Sequence, residues 1–367
     1  MKPRAPAGLE SGHDASGEKK DETMARSSIP AQAPRRSAAG RVFGWLLALV
    51  ILLAAIGAGG WYWLAGELDR RIASALDAAA GQGAVVLCEN RQVFGFPFRL
   101  GLSCDRISVD AQQNGVRLAT GALRTAAQVY DPSHIVAELD GPALVDTPDL
   151  PPLHLNWTLA QASSTLWTEG LERFSLVMEA PVLSTRNGQE AGAPIASSQH
   201  LEAHARQNGA ALDLAFTDKA IAATIPGIPP LPPFDLSADL SLDGAAGWLR
   251  SGVPAANVSE ALRGQAGTIR LLELSLPGGG GAQLSGPFSV SPTGELSGDF
   301  RLALENPQAI AGLVGVLVPG TGGLATTIAG AVGFAGRQEG GKTVVDVQVR
   351  NGEARLGFIP LGRLPRI

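Results

Sequence analysis

Basic charge is in short supply: 29 Lys and Arg stand against 34 Asp and Glu, a formal net charge of −5. Binding nucleic acid without sequence preference needs clustered cations to displace phosphate counterions, so the balance argues against a nucleic-acid partner. Cysteine is scarcer still, with only Cys88 and Cys104. They are not in a Cys-X-X-Cys redox spacing. No Gly-X-Ser-X-Gly elbow, no His-Glu-X-X-His and no phosphate-cradling loop occurs in the sequence. The run Gly278 to Gly281 lacks the Lys-Ser/Thr that such a loop requires. No constellation names a reaction, and the expectation is a protein that is not an enzyme and holds no metal or cofactor.

Charge is missing altogether from residues 42–64, VFGWLLALVILLAAIGAGGWYWL. As a helix this run is roughly 34 Å long at 1.5 Å per residue. A hydrocarbon core of about 30 Å is within its reach. Trp45 lies near one end and Trp61, Tyr62 and Trp63 at the other, where amphipathic rings favour the two membrane interfaces. Arg35, Arg36 and Arg41 precede the run, whereas Glu67 and Asp69 offset Arg70 and Arg71 beyond it. The positive-inside bias therefore places the N-terminus in the cytoplasm and the body outside. A cleaved signal and a buried core helix are the alternatives. The first would have a shorter apolar core and a small-residue cleavage site.

Residues 1–41 are poor in large apolar side chains and are expected to be a disordered cytoplasmic arm, with Met24 as an alternative start. Residues 66–81 continue helically: Leu68, Ile72 and Leu76 form one stripe, and Gly81 and Gly83 end it. This membrane-proximal helix is expected to stand the body off the bilayer. In an exported, oxidising compartment Cys88 and Cys104 are expected to form a structural disulfide, the alternative being two buried free thiols.

From residue 83 to 367 the apolar period becomes two. Phe98, Leu100, Leu102 and Cys104 alternate with polar or small residues. So do Leu153, Leu155, Trp157 and Leu159, then Phe174, Leu176 and Met178, then Leu212, Leu214 and Phe216. The series continues through Phe234 to Leu242, Leu284 to Val290, Phe300 to Leu304 and Val345 to Val349. One wet and one dry face per strand implies antiparallel sheet. Asn114-Gly115, Asn187-Gly188, Asn208-Gly209, Asp243-Gly244 and Asn351-Gly352 punctuate it as turns. Short helices are expected at Ser163 to Leu171, at Ala245 to Leu262, and twice within Pro307 to Ala335, where Pro319-Gly320 cuts an apolar stretch. Reading that stretch as a second span is the alternative, but each half is too short to cross alone. Residues 226–233, PGIPPLPP, are stiff and extended.

His200 and His204 have the spacing that sets two metal ligands on one helical face, but they lie among small polar residues that read as a loop before a strand. Most carboxylates alternate with apolar strand residues, as the wet face of a half-buried sheet requires. Asn156-Trp157-Thr158 and Asn257-Val258-Ser259 match the glycosylation pattern, which has meaning only in a host that glycosylates.

Certain residues also carry a resemblance. Cys88-Glu89-Asn90, Gly95-Phe96-Pro97-Phe98-Arg99 and Cys104 come first, then Asp131-Pro132, Glu138 and Gly141-Pro142. Asn351-Gly352 to Gly357, Pro360-Leu361-Gly362 and Leu364-Pro365 complete the set. In these the chain resembles the bacterial family of domain of unknown function 2125, membrane-anchored proteins of Alphaproteobacteria. The resemblance implies no activity and no catalytic residue. In architecture alone the chain is similar to AsmA- and TamB-type envelope proteins, whose anchors carry long curved sheets.

The fold expected is mainly β with a few helices (α+β): a transmembrane signal anchor, then a long antiparallel, curved or half-open sheet. The chain is expected to be a single-pass protein of the bacterial inner membrane with its body in the periplasm. Its expected partners are membrane lipid and an apolar ligand held in a sheet-lined groove; the alternative is an envelope scaffold that holds another protein. A reporter enzyme fused after Ile367 should be active only when its activity requires the periplasm; cytoplasmic activity would overturn the orientation.

Overall fold

The computed structural model describes residues 38–367 except 112, 114, 149, 168–169, 225–231, 255–256, 318–319 and 321. The arm expected at 1–41, apart from its last four residues, and most of the proline-rich segment 226–233 lie outside the described residues, as does Asn114. Helix α1 (Ala38–Gly81) takes in both the 42–64 and 66–81 segments without a break at Gly66. Its described part begins at Ala38, inside the expected arm, where Ala38 and Ala39 are good helix formers. Among the described residues it is the one helix long and apolar enough to cross a membrane. The chain divides into two compact units, residues 1–54 and 55–367. In the first, the described residues form helix whose classified side chains are exposed. The second holds the rest of α1 and the whole sheet.

Strands β1 (Ala84–Glu89) and β2 (Gln92–Phe94) are one chain stretch bent at Asn90-Arg91. The same holds for β3 (Arg99–Cys104) with β4 (Arg106–Ala111), β5 (Val116–Thr120) with β6 (Leu123–Gln128), and β7 (Asp131–Leu139) with β8 (Ala143–Thr147). It holds again for β9 (Leu150–Asn156) with β10 (Leu159–Trp167), β11 (Gly170–Glu179) with β12 (Val182–Asn187), and β13 (Glu190–Ser197) with β14 (His200–Asn208). One half of each bent strand joins a layer ordered β1-β4-β5-β8-β9-β12-β13. The other half joins β2-β3-β6-β7-β10-β11-β14. The corners are themselves laddered: Gly121 N donates to Asp140 O at 3.1 Å, Asp140 N to Ala122 O at 2.8 Å, and Ala180 N to Gln199 O at 2.9 Å. Buried backbone thus keeps its partners through the bend.

The second layer then runs on through β15 (Ala211–Ala223) and β16 (Phe234–Leu242). Helices α2 (Trp248–Ser251) and α3 (Val258–Leu262) intervene, and the side chain of Asn257 accepts the Glu260 N–H at 2.8 Å to cap α3. Strands β17 (Ala266–Ser275), β18 (Gly281–Val290) and β19 (Leu296–Glu305) extend the sheet. Helices α4 (Pro307–Leu317) and α5 (Gly322–Ala335) follow. Strands β20 (Arg337–Glu339), β21 (Lys342–Arg350), β22 (Glu353–Leu356) and β23 (Ile359–Arg363) finish it, with β21 on β19. The whole is one open antiparallel sheet, since the end of β15 also pairs with β13, joining the layers.

Two sequence expectations need correction. Ser163 to Leu171 is not a helical turn but the meeting of β10 and β11, because Ser163 to Thr165 is hydrogen-bonded to strands on both sides. β-Branched and hydroxyl side chains there have little helical preference to set against two ladders. The alternation from Leu153 to Leu159 is not one strand either. It is cut at the Trp157-Thr158 corner, and Trp157 is buried there with its indole N–H on Leu139 O at 2.8 Å.

Cys88 and Cys104 are joined as a disulfide with their Cα atoms 5.3 Å apart, at the corner where β1 and β3 end. Removing both thiols (Cys88→Ser with Cys104→Ser) should cost about 3 kcal/mol by the loop-entropy relation for a closure of this length. Urea denaturation checks it; an unchanged midpoint would show that the bond constrains nothing.

Candidate functional site

Residues directly opposite one another in an antiparallel pair share a face. Following those partners across the second layer traces Val93, Leu102, Thr125, Ala137, Ala162 and Leu176. The line continues through Ala203, Phe216, Ala238, Leu272, Leu284, Leu302 and Val345. It contributes one residue per strand, and all but Thr125 are apolar. The adjacent line on the same face holds Leu100, Ala127, Ile135, Ser164, Phe174, Ala205, Leu214, Leu240 and Ile269. One residue along each strand the character inverts, to Arg124, Glu138, Gln161, Val177, Glu202, Thr217, Ser237, Glu273 and Gln283.

Three buried clusters cover the apolar face in part. Helices α4 and α5 bring Ile310, Val314, Ile328 and Val332 onto Phe300, Leu304, Val345, Val347 and Val349. Trp248, Leu249 and Leu262 close on Leu212 and Leu242. At the bend, Leu118, Ala143 and Leu155 of the first layer meet Ala160, Leu176 and Met178 of the second. Phe174, Phe216, Leu236 and Leu272 share that face and belong to none of these clusters. Phe174, Phe216 and Leu236 are half-buried, and Leu272 is 37% exposed. Between the covered zones a seam of large apolar side chains stays open, a feature that marks binding surfaces more often than scattered single residues do.

One carboxylate interrupts the face. Asp218 stands between Leu201 and Leu236 in the register. It precedes the irregularity where Ala220 takes a positive φ of 52° and its N–H reaches Asp235 Oδ1 at 2.7 Å. Asp218 Oδ1 is buried without a hydrogen-bond partner among the described residues. Burial pushes its carboxyl above the ordinary range; bonds from the Ser198 hydroxyl and the Lys219 backbone and the nearness of His200 pull the other way, and Asp235 adds to the rise.

Near the start of the sheet, α1 meets the body through aromatic rings. Trp61 is 7% exposed, and its indole N–H donates to Arg99 O at 2.7 Å. Phe96 stands edge-on to Trp61 at 5.4 Å and stacked on Tyr62 at 5.8 Å. Arg91 Nε bonds Asp69 Oδ1 at 2.8 Å a turn or two further along the helix. Phe96 of the Gly95-Phe96-Pro97-Phe98 motif and the Arg99 carbonyl thus hold this part of α1, and Gly141 lies at the bend, where a Cβ would meet Asn156 Oδ1 at 2.7 Å.

The histidines are on strand, not in a loop: β14 begins at His200, and an even spacing puts His200, Glu202 and His204 on the polar face. His200 Nδ1 lies 2.8 Å from Glu179 Oε1 and its Nε2 3.0 Å from Glu202 Oε1. These bonds, that to Glu179 first, hold the imidazole above its ordinary value. Among the described residues no group of three or more His, Cys, Asp or Glu is placed to hold a metal ion. The line of alternating apolar residues was readable in the sequence. Asp218 was missed there, although Leu212, Leu214, Phe216, Asp218 is an alternation that ends on a charge.

An apolar helix long enough to span a membrane, followed by an open antiparallel sheet of bent strands with one apolar face, defines the class. The family model described as an uncharacterized protein conserved in bacteria (DUF2125) matches residues 61–365. The chain belongs to that family. No curated protein and no solved structure matches it.

Because the protonated form of Asp218 is favoured in the fold, its contribution to stability is greatest below the unfolded pKa of about 4 and falls as pH rises through the raised folded value. Asp218→Asn should therefore flatten the dependence of the urea midpoint on pH above 4. Identical slopes in the two proteins would remove Asp218 from this account.

Proposed function

We propose that this is a non-catalytic protein of the bacterial inner membrane, crossing once with its N-terminus in the cytoplasm. Its periplasmic sheet receives a lipid or another apolar ligand on the apolar face. The observation that carries the reading is the open seam at Phe174, Phe216, Leu236 and Leu272, flanked by clusters that close the rest of that face. A ligand site is concave and largely apolar with few polar groups, and here Thr125, Ser164 and, in the neighbouring row, Asp218 are the polar interruptions of the face.

The energetics suit a holding place rather than a sink. Covering a methylene that would otherwise face water is worth about 0.8 kcal/mol. A lipid drawn from a bilayer leaves an equally apolar phase, so its net gain on the sheet is small and exchange in both directions stays accessible. The same argument gives the anchor a use: a chain tethered beside the bilayer meets the ligand at high local concentration.

The full chain, extracted in mild detergent and examined by native mass spectrometry, should carry lipid. Leu272→Gln, at a position already partly exposed, should lower that occupancy about tenfold by removing on the order of 1.4 kcal/mol of apolar contact. A ligand-free chain whose apolar seam cross-links to another envelope protein would overturn the lipid reading in favour of a scaffold.

A further inference from the structure

The polar face of the sheet carries a separate arrangement. Arg173 on β11 stands directly opposite Arg206 on β14. Like charges so placed have Cβ atoms about 5 Å apart and destabilise the strand pair. Arg206 is partly neutralised: its Nε and Nη2 donate to Asp213 Oδ2 at 3.1 and 3.0 Å. Asn208 donates to the same oxygen at 3.1 Å. Arg270 Nη1 takes Asp213 Oδ1 at 3.1 Å, and its Nη2 holds Asp239 Oδ1 at 2.6 Å.

Asp213 is only 4% exposed, and both its oxygens are occupied. Its own burial pushes the carboxyl up, but bonds from Ser241, Arg206 and Arg270 outweigh that and hold it at about 2. It stays ionised at any physiological pH, and its charge is already shared between two guanidinium groups. Arg173 makes no ion pair or hydrogen bond among the described residues. Around the hollow these side chains line, three guanidinium groups face two carboxylates, so one positive charge is left over, and it is that of Arg173. The hollow is open and measures about 470 Å³. On its wall Ser175 Oγ lies 2.9 Å from His204 Nδ1, and from outside the lining Glu202 Oε2 approaches His204 Nε2 at 3.6 Å.

We propose that this hollow binds a phosphate-type oxyanion, seated between Arg173 and Arg206 with Ser175 Oγ beside it. A carboxylate presents two oxygens, and Asp213 already spends both on Arg206 and Arg270. A tetrahedral oxyanion presents enough for two forks converging from neighbouring strands. The bound anion also removes the like-charge repulsion that the register imposes. A free phosphate and a phosphate headgroup of a lipid offer the same oxygens, and the experiment separates them.

The full chain in an uncharged alkyl maltoside is melted in sodium phosphate and in sodium chloride of equal ionic strength. At a phosphate concentration ten times its dissociation constant, the unfolding equilibrium constant should fall about elevenfold. Arg173→Gln should lose that response, while in chloride it melts no lower than the native chain, because relief of repulsion offsets the lost side chain. A parallel pair, short-chain phosphatidic acid against the diacylglycerol that lacks the phosphate, reads the lipid source. Stabilisation by phosphatidic acid alone assigns a headgroup, and stabilisation by inorganic phosphate assigns the free anion. No difference in either pair, or a response of the same size in Arg173→Gln, overturns the site.

Discussion

Strand register is the constraint on which the rest depends. In most of this sheet the neighbour in space is the neighbour in sequence, or the next bent strand along. The face chosen by Leu102 is therefore passed, partner by partner, to Val345. A slip of one residue at any ladder would turn every later side chain over. Tight turns guard against it. Asn187-Gly188, Asn208-Gly209 and Asn351-Gly352 each sit at a hairpin, and Asn351 and Gly352 both have positive φ, 48° and 80°, as a two-residue turn of this hand requires. Where the ladder is irregular, between Asp239 and Leu240 and between Asp218 and Ile221, the face is regained on the far side.

A sheet that keeps one face dry over this many strands must cover it, and the cover is uneven. The C-terminal part has α4 and α5, which approach each other closely at Gly315 and Gly322: a Cβ on Gly315 would lie 2.9 Å from the Gly322 Cα. The N-terminal part covers itself by bending, which brings Leu118 and Leu155 over Leu176 and Met178. The first strands have an open edge and are secured differently, by the disulfide, by Trp61 on the Arg99 carbonyl, and by Arg91 on Asp69. Covalent and directional bonds take the place there of the apolar burial that secures the other end.

Much of this was legible from period alone. Phe174, Leu176 and Met178, or Leu236 to Leu242, announce both a strand and its dry face, because side chains alternate with a period of two whatever the tertiary context. The separation of α4 from α5 was legible for the same kind of reason, since each half of that stretch is apolar, helical in spacing and too short to span. What period cannot report is a bend. Leu153, Leu155, Trp157 and Leu159 alternate faultlessly, yet two layers meet at Trp157, since a corner that keeps the alternation leaves no trace in it. Ser163 to Thr165 was misread because hydroxyl residues say little of themselves, and only the ladders on either side decide their conformation. The basic pair Arg173 and Arg206 is invisible for a further reason: their sequence separation carries no information until β11 is known to lie against β14.

The informative positions are those where parity and chemistry disagree. Val136, Val177 and Phe94 lie on the mainly polar side, and Val136 is 47% exposed in a hollow with Arg124 and Glu138. Asp218 lies on the apolar side, with an Oδ1 that finds no partner among the described residues. A sheet selected only for stability would exchange such residues for ones that match their face, because a buried unpaired oxygen costs about 1–3 kcal/mol and an exposed valine contributes nothing. Asp218 sits beside the seam that α4, α5, α2, α3 and the bend leave uncovered, whereas Arg173, a polar residue on the polar face, keeps to the pattern. Of these departures, Asp218 falls on β15 beside that seam, and Val136 and Phe94 fall on β7 and β2, away from it. At Asp218 a broken local rule coincides with an uncovered stretch of the face, and departures of that kind are expected at functional or strained sites.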